Sequence, residues 1–178
     1  DIILSTRFSP SAVVARKAAF AEAGNFDTNL RSSEDRDMWI RIATRRRVQL
    51  EDARLVQVCR HASNMSGNAD RMKKNMRITL RKAYENGAVS KWRWLFWLKV
   101  CAVFYHQTAL MYLGTGRPWP ALQDAAKSLL AWPLWLQTRE IGSIVHCLRL
   151  RTVARILIEL FRIDRRRSKA VETGSMRQ

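Results

Sequence analysis

With 178 residues the chain can bury one good core, or a small domain plus an appendage. Its 32 Lys and Arg against 15 Asp and Glu give a formal charge of +17, which excludes a charge-balanced surface and favours polyanionic partners: nucleic acid, anionic lipid or phosphorylated substrates. Cys59, Cys101 and Cys147 lie far apart with no Cys-x-x-Cys pair, which argues against a zinc knuckle or thioredoxin-type site and points to reduced thiols in a cytosolic compartment.

The chain opens Asp1-Ile2-Ile3-Leu4, with neither Met nor a basic-then-apolar leader, and reads as a cut in a longer protein. Up to about residue 68, short apolar runs alternate with turn residues. The pattern predicts a buried strand at 11–15 and a short helix at 17–23 stopped by Gly24-Asn25. A loop at 26–30 and a helix from Glu34 to about Arg46 follow. Strands are expected at 48–51 and 55–60, then a polar loop at 61–70. Beyond residue 68 nearly everything reads as helix: 69–86 ending at Gly87, 92–113 ending at Gly114, 122–132 before Pro133, and 144–163. The last stretch, 165–178, reads as disordered.

The most informative segment is Ser32-Ser33-Glu34-Asp35-Arg36-Asp37-Met38-Trp39-Ile40-Arg41-Ile42. Locally it fits a capping box, with Ser32 three residues before Asp35 and acids in the first helical turn. Helical spacing also places Asp35 on one stripe with Met38, Trp39 and Ile42, the inward face, while Asp37 and Arg41 are expected to point the other way. A carboxylate on the inward stripe at a helix mouth sits at the edge of a cleft, where it can act as a base.

Glu34-Asp35-x-Asp37-x-Trp39-x-Arg41 resembles the acidic motif of family 2 glycosyltransferases. So do a small-residue run ending in Arg16, the turn Gly24-Asn25-Phe26-Asp27 (Asn25 where that family usually has Gly), and Arg60-His61 followed by Asn64-Met65-Ser66. The likeness covers roughly residues 3–68. It implies an α/β fold, the C-terminal, acceptor-side half of a GT-A-like nucleotide-diphospho-sugar transferase domain at 1–68. A mainly helical, basic and Trp-rich extension would follow at 69–178.

The resemblance further implies an inverting enzyme that moves a sugar from a nucleotide-diphospho-sugar to a hydroxyl of a glycan or lipid-linked acceptor, in cell-surface polysaccharide or glycolipid assembly. Asp35 would be the general base and Glu34 its helper, with Trp39 and Arg60 in the substrate site and His61 a metal ligand. A divalent cation, Mg2+ or Mn2+, would neutralise the leaving diphosphate, most of its ligands lying in the preceding half of the domain. Without that half the chain is expected to be inactive alone. His61 also fits an ordinary surface or core-edge histidine.

In the extension, the apolar run 95–113 is interrupted by Lys99, His106 and Gln107, and reads as spanning, interfacial or buried. Leu150, Val153, Ile156, Leu157, Leu160 and Phe161 form one arc opposite Arg151, Arg155 and Arg162, a basic amphipathic helix suited to an anionic membrane surface or to ordinary packing. Trp92, Trp94, Trp97, Trp132 and Trp135 are expected to form an apolar surface flanked by cations. The expectation is a cytoplasmic protein, peripheral on the cytoplasmic membrane face. The competing class is a non-enzymatic nucleic-acid-binding or membrane-surface helical protein. Nucleic acid is not the expected partner, because no helix-turn-helix, RNA-recognition or zinc-finger pattern is present.

Overall fold

Apart from one 3-10 turn at Pro10–Ala12, every regular element is an α-helix in the computed structural model, which describes residues 2–4, 9–49, 51, 53, 55–57, 68–133 and 145–175. The helices are α1 (Lys17–Ala23), α2 (Glu34–Ala43), α3 (Ala69–Glu85), α4 (Trp94–Gly114), α5 (Pro118–Ala131) and α6 (Val145–Ser175). The predicted helices are found at these places, with α5 starting earlier than expected because Pro118 occupies the first turn, where its missing N–H costs nothing. The last helix is a correction: α6 runs to Ser175, through most of the stretch 165–178 expected to be disordered, since its Arg, Lys, Ala and Glu are good helix formers.

The α/β fold and the GT-A-like half-domain are corrected, since no strand occurs among the described residues. Residues 11–15 hold a turn and then unpaired extended backbone, and the side chain of Val14 is fully exposed. The described parts of 48–51 and 55–60 carry no ladder either, and Val48, Leu55 and Val56 are exposed. A strand exists only through hydrogen bonds to a neighbouring strand, so apolar, β-branched composition alone does not make one.

Two compact units divide the chain within α4, the first at Asp1–Phe104 and the second at Tyr105–Gln178. In the first, α2 packs on both α1 and α3. Met38, Trp39 and Ile42 meet Ala23, Ala19 and Phe20, whereas Ile40 joins Ile3, Ala83 and Val100. The helix therefore buries two faces, not the single stripe that its apolar spacing suggested. In the second, α5 packs on α6 through Ala121, Ala125 and Ile156, and the interior is polar for its size. Thr108 donates to Asp124 at 2.7 Å, His106 Nε2 lies 3.1 Å from Thr152 Oγ1, and Arg149 donates to the Ser128 carbonyl. No helix among the described residues is long and apolar enough to cross a membrane, so α4 is not a spanning segment.

Candidate functional site

The acidic segment begins at a constrained turn. Ser33 is the N-cap of α2 and has φ 62°, a left-handed conformation that costs a non-glycine residue about 1 kcal/mol. The capping box expected from Ser32 and Asp35 does not form, because the N-cap is Ser33, one residue later, and its side chain makes no capping hydrogen bond. The loop that enters the helix is fastened from α3 instead. With its amide oxygen toward the loop, Asn75 accepts from the N–H of Arg31 at 3.1 Å, and from the N–H and Oγ of Ser32 at 3.0 Å each. Thr79 adds a bond from Oγ1 to the Ser33 carbonyl at 3.4 Å.

Two arginines fix the helix at its sides. Arg36 is 6% exposed and reaches the carbonyls of Ile3 at 2.6 Å and Leu4 at 3.2 Å, with Met76 Sδ at 3.0 Å. Burial pushes its pKa down to about 10, partly offset by the charge of Asp35. Arg41 donates to the Ala23 carbonyl and, at 3.0 Å, to that of Asn25, closing the C-terminal end of α1 where Gly24 turns with φ 80°. Asp37, 3% exposed, holds Arg41 at 2.9 Å and Lys82 at 2.8 Å, and Lys82 also reaches Asp27 at 2.9 Å. Asp37 thus points into the protein, contrary to the outward orientation expected from the wheel.

Beside this network is a cavity of about 30 Å³, lined by Asp37, Arg41, Thr44, Thr79, Lys82 and Asn86 among others. That is room for about two waters, not for a sugar.

The site residues named from sequence fall into three groups. Trp39 is a core residue, 7% exposed, with its ring edge-on to Phe20 at 6.2 Å and to Phe26 at 6.3 Å. Glu34 and Asp35 are half-buried in the first turn of α2. Arg60 and His61 lie outside the described residues, so neither is placed relative to Asp35. Sequence reasoning missed Arg36, Asp37, Lys82 and Asn75 as a framework. The available signal was Ile40, an apolar residue off the main stripe, which marks a second buried face bringing Arg36 and Asp37 inward.

Asp35 Oδ1 accepts its neighbour's N–H, that of Arg36, at 2.7 Å. Glu34 Oε2 is buried without a hydrogen-bond partner. Neither acid forms an ion pair among the described residues, whereas Asp27 and Asp37 share Lys82 and Asp37 also pairs with Arg41. A divalent cation does not fit there, because an ammonium already stands between the two carboxylates. The described residues also contain no group of three metal-binding side chains.

No protein-family model, no curated protein and no solved structure matches the chain. Together with the absence of strands among the described residues, this overturns the expected membership of glycosyltransferase family 2. In this structure Asp37, Trp39 and Arg41 of the motif are fastenings that join α2 to its neighbours.

Proposed function

We propose that Glu34 and Asp35 are the working groups of a sugar-transferring enzyme, in which Asp35 takes the proton of an acceptor hydroxyl as a nucleotide-diphospho-sugar gives up its sugar with inversion. The observation that carries this reading is the division of labour among four carboxylates. Asp27 and Asp37 are committed to Lys82 and Arg41, while Glu34 and Asp35 stay half-exposed and without an ion pair among the described residues. A neutral hydroxyl is a poor nucleophile, and a carboxylate helps only if it is held in place. The support comes from α2, fastened through Asn75, Arg36, Asp37 and Arg41 and entered through the constrained Ser33. Glu34, next to Asp35 in the first turn of α2, would help to place the acceptor.

The test is release of nucleoside diphosphate from a panel of nucleotide-diphospho-sugars by the natural protein that carries this chain. Asp35→Asn should lower turnover by roughly 10²–10⁴-fold, the range for losing a general base. Unfolding must be followed alongside, because Asp35 also offsets the burial of Arg36. Turnover close to that of the unsubstituted protein would remove Asp35 from the chemistry.

A further inference from the structure

The described side chains of α6 present two unlike sides. Arg149, Thr152 and Ile156 recur at helical spacing and are buried, on the side that packs in the second unit. Leu150, Leu157, Ile158 and Phe161 are exposed at 50%, 52%, 53% and 61%. At about 100° per residue these four form a strip roughly 100° wide, and Arg151, Arg155 and Arg162, all exposed, follow along its edge. Arg165 stands over the Phe161 ring at 5.1 Å, so cation and strip meet there too. Only one acid answers this ridge closely among the described residues, Glu159 at 3.5 Å from Arg162. The arc read from sequence is therefore split: Ile156 packs, while Leu150, Leu157 and Phe161 face outward.

We propose that this face of α6 docks on an anionic lipid bilayer, lying in the plane of the headgroups with the apolar strip turned toward the acyl chains and the arginines on lipid phosphates. Four large apolar side chains contiguous on one exposed helix are uncommon on a surface that meets only water. The distance from Leu150 to Phe161, about 17 Å along the axis, suits a helix lying in the interface, and α6 is not apolar enough to cross.

Charge selects the occupant. A second copy would bring arginine ridge against arginine ridge on a chain of net charge +17. A nucleic acid would answer the arginines but leave the strip in water. A bilayer with anionic headgroups answers both.

The experiment is flotation of the 178-residue chain with vesicles of phosphatidylcholine alone, and of phosphatidylcholine with about one-third phosphatidylserine. Binding should favour the anionic vesicles and weaken with salt. Arg151→Gln/Arg155→Gln should weaken it about 25-fold, at roughly fivefold per cation near an anionic leaflet. Leu157→Ser/Phe161→Ser should weaken it by about 100-fold or more, since two large apolar side chains lose their burial. Both pairs are exposed, and circular dichroism should show unchanged helicity. A reading that needs no variant is amide exchange, which should slow across residues 150–161 when anionic vesicles are added. Equal binding by all three proteins overturns the proposal. So does a dimer that dissociates in Leu157→Ser/Phe161→Ser without vesicle binding, or DNA binding lost only in the arginine pair without vesicle binding.

Discussion

Asp37 is the residue on which the position of α2 depends most. Its carboxylate is 3% exposed and gathers Lys82 from α3 and Arg41 from its own helix. Removing one partner of a fully buried pair costs about 3–5 kcal/mol. Here the side chains of Lys82 and Arg41 remain 29% and 21% exposed, and water screens part of the interaction. We therefore expect Asp37→Ala to cost about 2 kcal/mol, seen as a lower urea midpoint with an unchanged slope. The pH window of this network follows from its members. Hydrogen bonding by Lys82 and by the Asn29 N–H lowers the pKa of Asp27, so its contribution is present above the ordinary carboxylate range and is lost as pH falls through the lowered value. Burial pulls Lys82 down, but its bonds to Asp37 and Asp27 outweigh this and raise it overall, so its contribution is lost only as pH rises through the raised value.

At the scale of elements, α2 is joined to its neighbours by bonds at the ends of elements. Asn75 supplies its N-terminal loop and Arg41 closes α1. Asn75→Ala should strand the buried donors of Ser32 at a cost of about 1–3 kcal/mol. Amide exchange at residues 31–34 should accelerate more than in the rest of α2, and turnover of the natural protein should fall with Asp35 still present. Uniform acceleration along α2 would show that Asn75 serves the whole helix and not the turn. The same elements show what was legible beforehand. Helix spacing and glycine stops located α1 through α6, because those signals act within a few residues. Stripe periodicity placed Met38, Trp39 and Ile42 inside. It failed for Asp37 and Arg41, since a second packing partner, α3, lies about forty residues away in the chain and leaves no local mark. The expected strands failed for the related reason that pairing is a property of two segments, not one. Of the candidate site, the acidic pair was visible, but its difference from Asp37 was not, because only the contacts of Lys82 and Arg41 separate the ion-paired acid from the other two. Trp92 and Trp94 are exposed as expected, whereas Trp97 is half-buried and packs on Tyr84 at 5.0 Å, so the Trp-rich stretch is only partly a surface.

Across the whole molecule, the two units carry opposite kinds of titratable burial, and acid should part them. In the first unit Asp27, paired with Lys82, keeps its contribution until the pH falls through its lowered value. The second holds His106, 5% exposed and 3.1 Å from Thr152. Burial, and then the nearby charge of Arg149, pushes its pKa down to about 4. An unfolded histidine titrates near 6.5, so below that pH the unfolded chain takes up a proton that the folded unit refuses. Stability is then unaffected by His106 above about pH 6.5 and falls by up to about 1.4 kcal/mol per pH unit below it, reaching a loss of about 2–3 kcal/mol near pH 4. Arg149 sharpens this, because its own guanidinium is buried with Nε and Nη1 unbonded, and a second positive charge beside it has no acid to meet among the hydrogen bonds described for either residue. Amide exchange followed from pH 7 to pH 4.5, corrected for intrinsic rates, should therefore show α5 and the packed part of α6 losing protection while α2 and α3 keep theirs. His106→Asn, which keeps a polar group for Thr152 but cannot take up the proton, should flatten that loss. A loss of the same size in His106→Asn would place the acid sensitivity in another group.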